Sequence, residues 1–78
     1  MENKKPTQCD RIIQYIEDFG SITQMEALID LGIMRLAARI SEMRSKGYKI
    51  KTEFIHSKNR YGNPMKFAKY SFEVIDNG

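Results

Sequence analysis

The chain has little of what most catalytic or metal chemistry requires. It holds one cysteine and one histidine in 78 residues. A single thiol closes no internal disulfide, which agrees with a reducing compartment, so a cytoplasmic location is expected. Cys9 and His56 lie far apart in the sequence, and together they make no zinc site. No run of about 18 apolar residues occurs, so no membrane-spanning helix is expected. The opening MENKKPTQ has no apolar segment behind its lysines and does not read as a secretory signal. There is no glycine-rich phosphate loop, no Ser-His-Asp set and no carboxylate pair that reads as an acid and a base. Internal repeats and low-complexity segments are missing as well. The expectation is a chain that is not an enzyme and needs no cofactor and no metal.

What is present suits one folded domain. Seventy-eight residues leave no room for a second core. With 41% hydrophobic and 29% charged residues, the composition is that of a folded chain rather than a disordered one. Residues 1–6 read as a loose start, 7–75 as the domain and 76–78 as a tail. Charge is unevenly spread. Residues 1–33 carry a net −3 and residues 34–78 a net +6. If folding gathers the second half on one face, that face attracts polyanions.

The segment from Ile33 to Gly47 organises the rest. Ile33, Leu36, Ala37, Ile40 and Met43 recur at helical spacing and predict one buried face. Arg35, Ala38, Arg39, Glu42 and Lys46 fall on the other side. That stripe is narrow and mostly basic, with a small residue at its middle, and a duplex major groove accepts such a helix. Before it, Thr7 and Asp10 suggest a capping box for a first helix over about 8–19, buried through Cys9, Ile12, Ile13, Ile16 and Phe19 and ended by Gly20. Thr23 and Glu26 cap a second helix over about 24–31, with Met25, Ala27, Leu28 and Leu31 expected inside, and Gly32 breaks it. Two helices about a glycine-bearing turn form a helix-turn-helix.

After Gly47 the period changes to two. Tyr48, Ile50 and Phe54 alternate with Lys49, Lys51 and Glu53 and predict a half-buried strand over 48–55. The run 56–64 is dense in turn formers and reads as a loop. Residues 65–74 read as a second strand, with Ala68, Tyr70, Phe72 and Val74 on one face. Ser21-Ile22 is placed to add a short third strand. The expected fold is α+β: three helices and a C-terminal β-hairpin wing, the winged helix-turn-helix architecture.

In that architecture three basic sets converge. Arg35 and Arg39, flanking Ala38, are expected at base edges in the major groove, with Lys46 near them. Asn59 and Arg60 at the hairpin loop suit the minor groove or its phosphates. Lys51, Lys58, Lys66 and Lys69 are expected to neutralise phosphates. Gln24, at the start of the second helix, is a further phosphate candidate. Arg44 falls on the edge of the apolar stripe and is expected in a structural pair, with Glu26 as a partner. Tyr61 at the loop either packs back on the hairpin or stacks on sugars or bases.

The run SITQMEALIDLGIMRLAARISEMRSKGYKIKTE resembles the small winged helix-turn-helix proteins of bacteriophages and prophages. The likeness rests on Gly20 to Ala27, Leu31-Gly32-Ile33, Arg35 to Arg44 and Gly47 to Ile50. Met43 stands where leucine is usual. The resemblance implies a winged-helix DNA-binding module, and the leading expectation is a double-stranded DNA binder acting as a phage or prophage transcriptional regulator or an excisionase-like architectural protein. A homodimer, or a phage or host protein partner, belongs to the same expectation. The competing reading is a protein-interaction module, such as a viral inhibitor of a host protein, in which Arg35 and Arg39 grip acidic side chains of the partner.

Overall fold

A computed structural model of the chain describes residues 6–73. The elements run α1 (Gln8–Phe19), β1 (Ile22–Thr23), α2 (residues 24–31), α3 (Leu36–Ser45), β2 (Ile50–Lys58) and β3 (Pro64–Phe72). The expectations placed on residues 1–5 and on Val74 and the tail fall outside the described residues.

Both capping boxes form. Thr7 Oγ1 accepts from the Asp10 N–H at 3.1 Å, and an Asp10 carboxylate oxygen accepts from the Thr7 N–H at 3.0 Å. Thr23 and Glu26 repeat the exchange at 3.2 and 2.9 Å. Each box satisfies two backbone donors that a helix start leaves without partners. Gly20 ends α1 at φ 91°, where only glycine sits without strain, and its N–H reaches the Ile16 carbonyl.

α2 departs from the regular helix expected of it. It is α-helical only over Gln24–Glu26 and π-helical over Ala27–Leu31. The wider turn shifts which residues face inward. Ala27 is buried and Leu31 half-buried, while Met25 and Leu28, both expected inside, are 64% and 44% exposed. Phe19 also lies outside, at the far end of α1, with its ring 4.7 Å from that of Tyr15.

The sheet has strand order β1-β3-β2, all antiparallel. The brief strand expected at Ser21-Ile22 is real: Ile22 pairs with Tyr70 and Thr23 with Lys69. Ile50 stands opposite Phe72 and Thr52 opposite Tyr70, so Ile22, Ile50, Tyr70 and Phe72 share one sheet face by the two-residue period. That face closes over Ile12, Tyr15 and Ile16 of α1 and Leu36, Ile40 and Met43 of α3, which together form one core. The strands run further than the sequence suggests. Pairing continues through His56–Lys66 and Ser57–Met65 to Lys58–Pro64, so residues 56–58 and Pro64, expected in the loop, belong to the strands. β1 covers only the base of β3, so from residue 54 outward the hairpin is a bare two-stranded ribbon. Both its faces meet water there, which leaves no apolar alternation to mark it.

Tyr15 ties α1 to the end of α2 by donating to Asp30 at 2.6 Å. That bond to a carboxylate, helped by burial and by the charges of Glu26 and Asp30, pushes the phenol up to about 12. The folded value lies above the ordinary one of about 10, so the stabilisation is complete below pH 10 and is lost as pH rises through 12. An ultraviolet phenolate titration is expected to show a late step near pH 12 that Y15F lacks.

Candidate nucleic-acid interface

The turn before α3 is built by one side chain. Gly32, at φ 71°, ends α2, and the Ile33 N–H returns to the Ala27 carbonyl at 2.9 Å. Gln24 then bridges the turn. Its Nε2 donates to the Ile33 carbonyl and its Oε1 accepts from the Leu36 N–H, both at 2.9 Å. These bonds satisfy the backbone without a helix, so α3 starts at Leu36 rather than at Ile33. Arg35 becomes its N-cap, with φ −124° and ψ 67°, and stands exposed. The amide of Gln24, expected at a phosphate, is engaged inside the protein at both ends.

The two flanks of α3 hold its two arginines. On the flank toward α1, Arg39 pairs with Glu42 at 3.5 Å, and the Cys9 thiol donates to the same carboxylate. This is the only ion pair among the described residues. The Arg39 side chain is 34% exposed, and its Nε is buried without a partner. Burial pushes the Cys9 thiol up, and the bond to Glu42 adds to the rise, so the group is a poor nucleophile. On the flank toward the sheet, Arg44 donates to the Ile50 carbonyl through Nε at 3.1 Å and Nη2 at 2.7 Å. Nη2 also reaches Thr52 Oγ1 at 2.8 Å, and the guanidinium lies 6.0 Å from the Tyr70 ring centre. Arg44 is therefore structural, as its place on the stripe suggested, but its partner is the β2 backbone and not Glu26. Ala37, expected in the core, is exposed, and Ala38 is half-buried. Lys46 is exposed in the turn after α3.

The hairpin loop is ordered by Asn59. Its Oδ1 accepts from the Tyr61 and Asn63 N–H groups at 2.9 and 3.0 Å, and its carbonyl accepts from the Gly62 N–H at 2.9 Å. Gly62 takes φ 82°. An Asx-type turn of this kind places the two central residues outermost. These are Arg60 and Tyr61, and Tyr61 is 85% exposed, so it does not pack back on the strands. Lys58 ends β2 opposite Pro64, and Lys66 faces His56 across the strands with its ammonium 4.7 Å from the Phe54 ring centre. Lys51 stands opposite Ser71 on the other sheet face.

The model of the winged helix-turn-helix domain family matches residues 7–74. The chain belongs to that family. No curated protein and no solved structure matches it. In this winged helix, α2 and α3 are the helix-turn-helix and the β2–β3 hairpin is the wing, an architecture that binds DNA through its second helix. Charge follows the same division. Asp10, Glu17, Asp18, Glu26 and Asp30 lie on α1 and α2, while the wing carries Lys51, Lys58, Arg60, Lys66 and Lys69 against Glu53 alone. Among the described residues no helix is long and apolar enough to cross a membrane.

Sequence reasoning missed the Gln24 clamp and the Thr52 contact to Arg44. Both join residues through bends of the chain that periodicity does not encode.

Proposed function

We propose that this winged helix binds double-stranded DNA, with α3 toward the major groove and the wing over the adjacent backbone or minor groove. The observation that carries the reading is the segregation of charge within a DNA-binding architecture: the wing is basic, the start of α3 bears an exposed Arg35, and the carboxylates gather on α1 and α2. Arg35 is the candidate for a base edge, with Ala38 allowing close approach. Arg39 shares its charge with Glu42 at 3.5 Å and keeps 34% of its side chain exposed, which makes it a weaker candidate than Arg35. Lys46, Lys51, Lys58, Arg60 and Lys66 are the phosphate candidates. Asn59 contributes by shaping the turn, and Gln24 by placing α3.

The biological role we assign is that of a phage or prophage transcriptional regulator or an excisionase-like architectural protein. A single module buries about 600–1,000 Å² on DNA, so tight binding calls for two copies on neighbouring half-sites. A second reading, a protein-interaction module, is favoured by the exposed Met25, Leu28, Ile29 and Met34 around the helix-turn-helix.

Selection from a random duplex pool, followed by fluorescence anisotropy on the enriched sequence, tests the proposal. Affinity is expected to fall at least tenfold between about 50 and 200 mM salt, because several phosphates shed counterions on binding. Failure to enrich any sequence, with binding that ignores salt, would reject duplex recognition in favour of a protein partner.

A further inference from the structure

Away from α3 and the wing, α1 buries one face and leaves a groove along another. We propose that this groove docks a segment of a partner protein that carries arginine beside an aromatic or aliphatic residue. The proposal goes beyond the DNA-binding reading and does not depend on it.

The groove follows α1, has the end of α2 as its other wall, and holds about 910 Å³. Its α1 side is set by helical spacing. Ile12 and Ile16 face the core, so the stripe through Arg11, Tyr15, Asp18 and Phe19 borders the opening. Asp30 and Leu31 line the α2 side, and Tyr15 joins the two walls through its bond to Asp30 at 2.6 Å. No residue of α3 or of the wing lines the groove, so an occupant leaves both of them free. Its apolar part makes it a docking surface. Phe19 is 71% exposed, and its ring is tilted 49° to that of Tyr15 at 4.7 Å. With half-buried Leu31 and exposed Pro6 it forms an apolar wall in contact with water. Aromatic rings in a concavity are common anchors of protein association.

Charge specifies the occupant. Three carboxylates, Asp10, Asp18 and Asp30, line the groove against one guanidinium, that of Arg11. Each carboxylate has a bonded partner, but each partner is neutral: the Thr7 N–H, the Gln14 amide at 2.9 Å and the Tyr15 hydroxyl. None of the three is in an ion pair among the described residues. Their negative charge therefore stands uncancelled beside two aromatic rings. A guanidinium answers both features at once, because its plane lies on a ring face while its N–H groups reach carboxylates. An ammonium supplies the charge without the flat face, and an acidic segment is repelled. The 12 residues of α1 span about 18 Å. An extended segment of about five or six residues covers that length. With α3 and the wing on a duplex, the groove brings the partner to the same site.

A displayed library of random peptides about twelve residues long, panned on the intact chain, tests the proposal. Enriched peptides are expected to carry arginine next to an aromatic or aliphatic residue. Two variants then locate them. D18N/D30N removes charge and keeps an acceptor for Gln14 and for Tyr15, and F19S removes the exposed ring. Circular dichroism verifies that both are folded, and R35Q is the control on the α3 side. In fluorescence anisotropy with a synthesised enriched peptide, D18N/D30N and F19S are each expected to weaken binding at least fivefold, and R35Q less than twofold. The inference is overturned if no peptide is enriched, if the enriched peptides are acidic, or if either groove variant binds as wild type does. A loss in R35Q as large as in the groove variants overturns it as well, because it places the peptide on α3. Failure of the wild-type chain to bind any duplex is a separate result: it rejects the DNA reading and leaves the peptide measurement intact.

Discussion

Leu36→Ala is expected to lower the unfolding free energy by about 2–5 kcal/mol. Leu36 is fully buried at the first turn of α3, in a core fed by every element from α1 to β2. Its removal deletes the packed methyls and leaves a cavity that the capped, hydrogen-bonded start of α3 cannot readily close. A domain of this size is stabilised by only about 4–12 kcal/mol, so the loss is a large share of the total. Urea unfolding followed by circular dichroism reads it as a lower midpoint with little change in slope. Leu36→Met, which conserves volume, is expected to cost under about 1.5 kcal/mol. An alanine variant as stable as wild type would mean that α3 is not seated on the core as described.

Gln24→Ala is expected to act on stability and function together. It removes the acceptor of the Leu36 N–H and the donor to the Ile33 carbonyl in one change. Each bond is worth about 0.5–1.5 kcal/mol net, which sets a loss of about 1–3 kcal/mol. The turn that aims α3 loosens at the same time, so duplex affinity is expected to fall at least fivefold even where the protein remains folded. Gln24→Glu separates the two bonds. It keeps an acceptor for the Leu36 N–H, at a helix start that favours a negative charge, and loses the donor to Ile33. It is expected to be intermediate in unfolding midpoint. Equal binding by the alanine variant and the wild type would show that α3 is aimed by packing alone.

The parts of the fold legible in the sequence are those fixed by neighbours along the chain. Thr7-Asp10 and Thr23-Glu26 announce two helix starts because a capping box is closed within four residues. The alternation around Ile50 and Tyr70 marks the strands where one face is buried. Beyond residue 54 that contrast disappears, and a paired ribbon with water on both sides reads as a loop. The π-turn is likewise silent in the sequence, since its residues carry a respectable helical stripe, and that is why Met25 and Leu28 were expected inside. The candidate interface shows the same division. Its basic character could be read from composition, and Arg44 from its place on the stripe edge. The pairing of Arg39 with Glu42, three residues on along the same helix, was also open to reading as the alternative to a base contact. What could not be read is the commitment of Gln24 to the turn, because it depends on how the helices settle against one another.

Among the described residues β2 has no strand on its outer side, so the backbone groups of alternate residues along it face outward, with the Ile50 carbonyl taken by Arg44. An open edge of that length invites the edge of another molecule. Along it stand Lys51 and Lys58, which the lysines of a second copy brought alongside would repel, with Glu53 the one opposing charge on the strand. The net positive charge of the wing therefore opposes the zipping of separate chains into a continuous sheet.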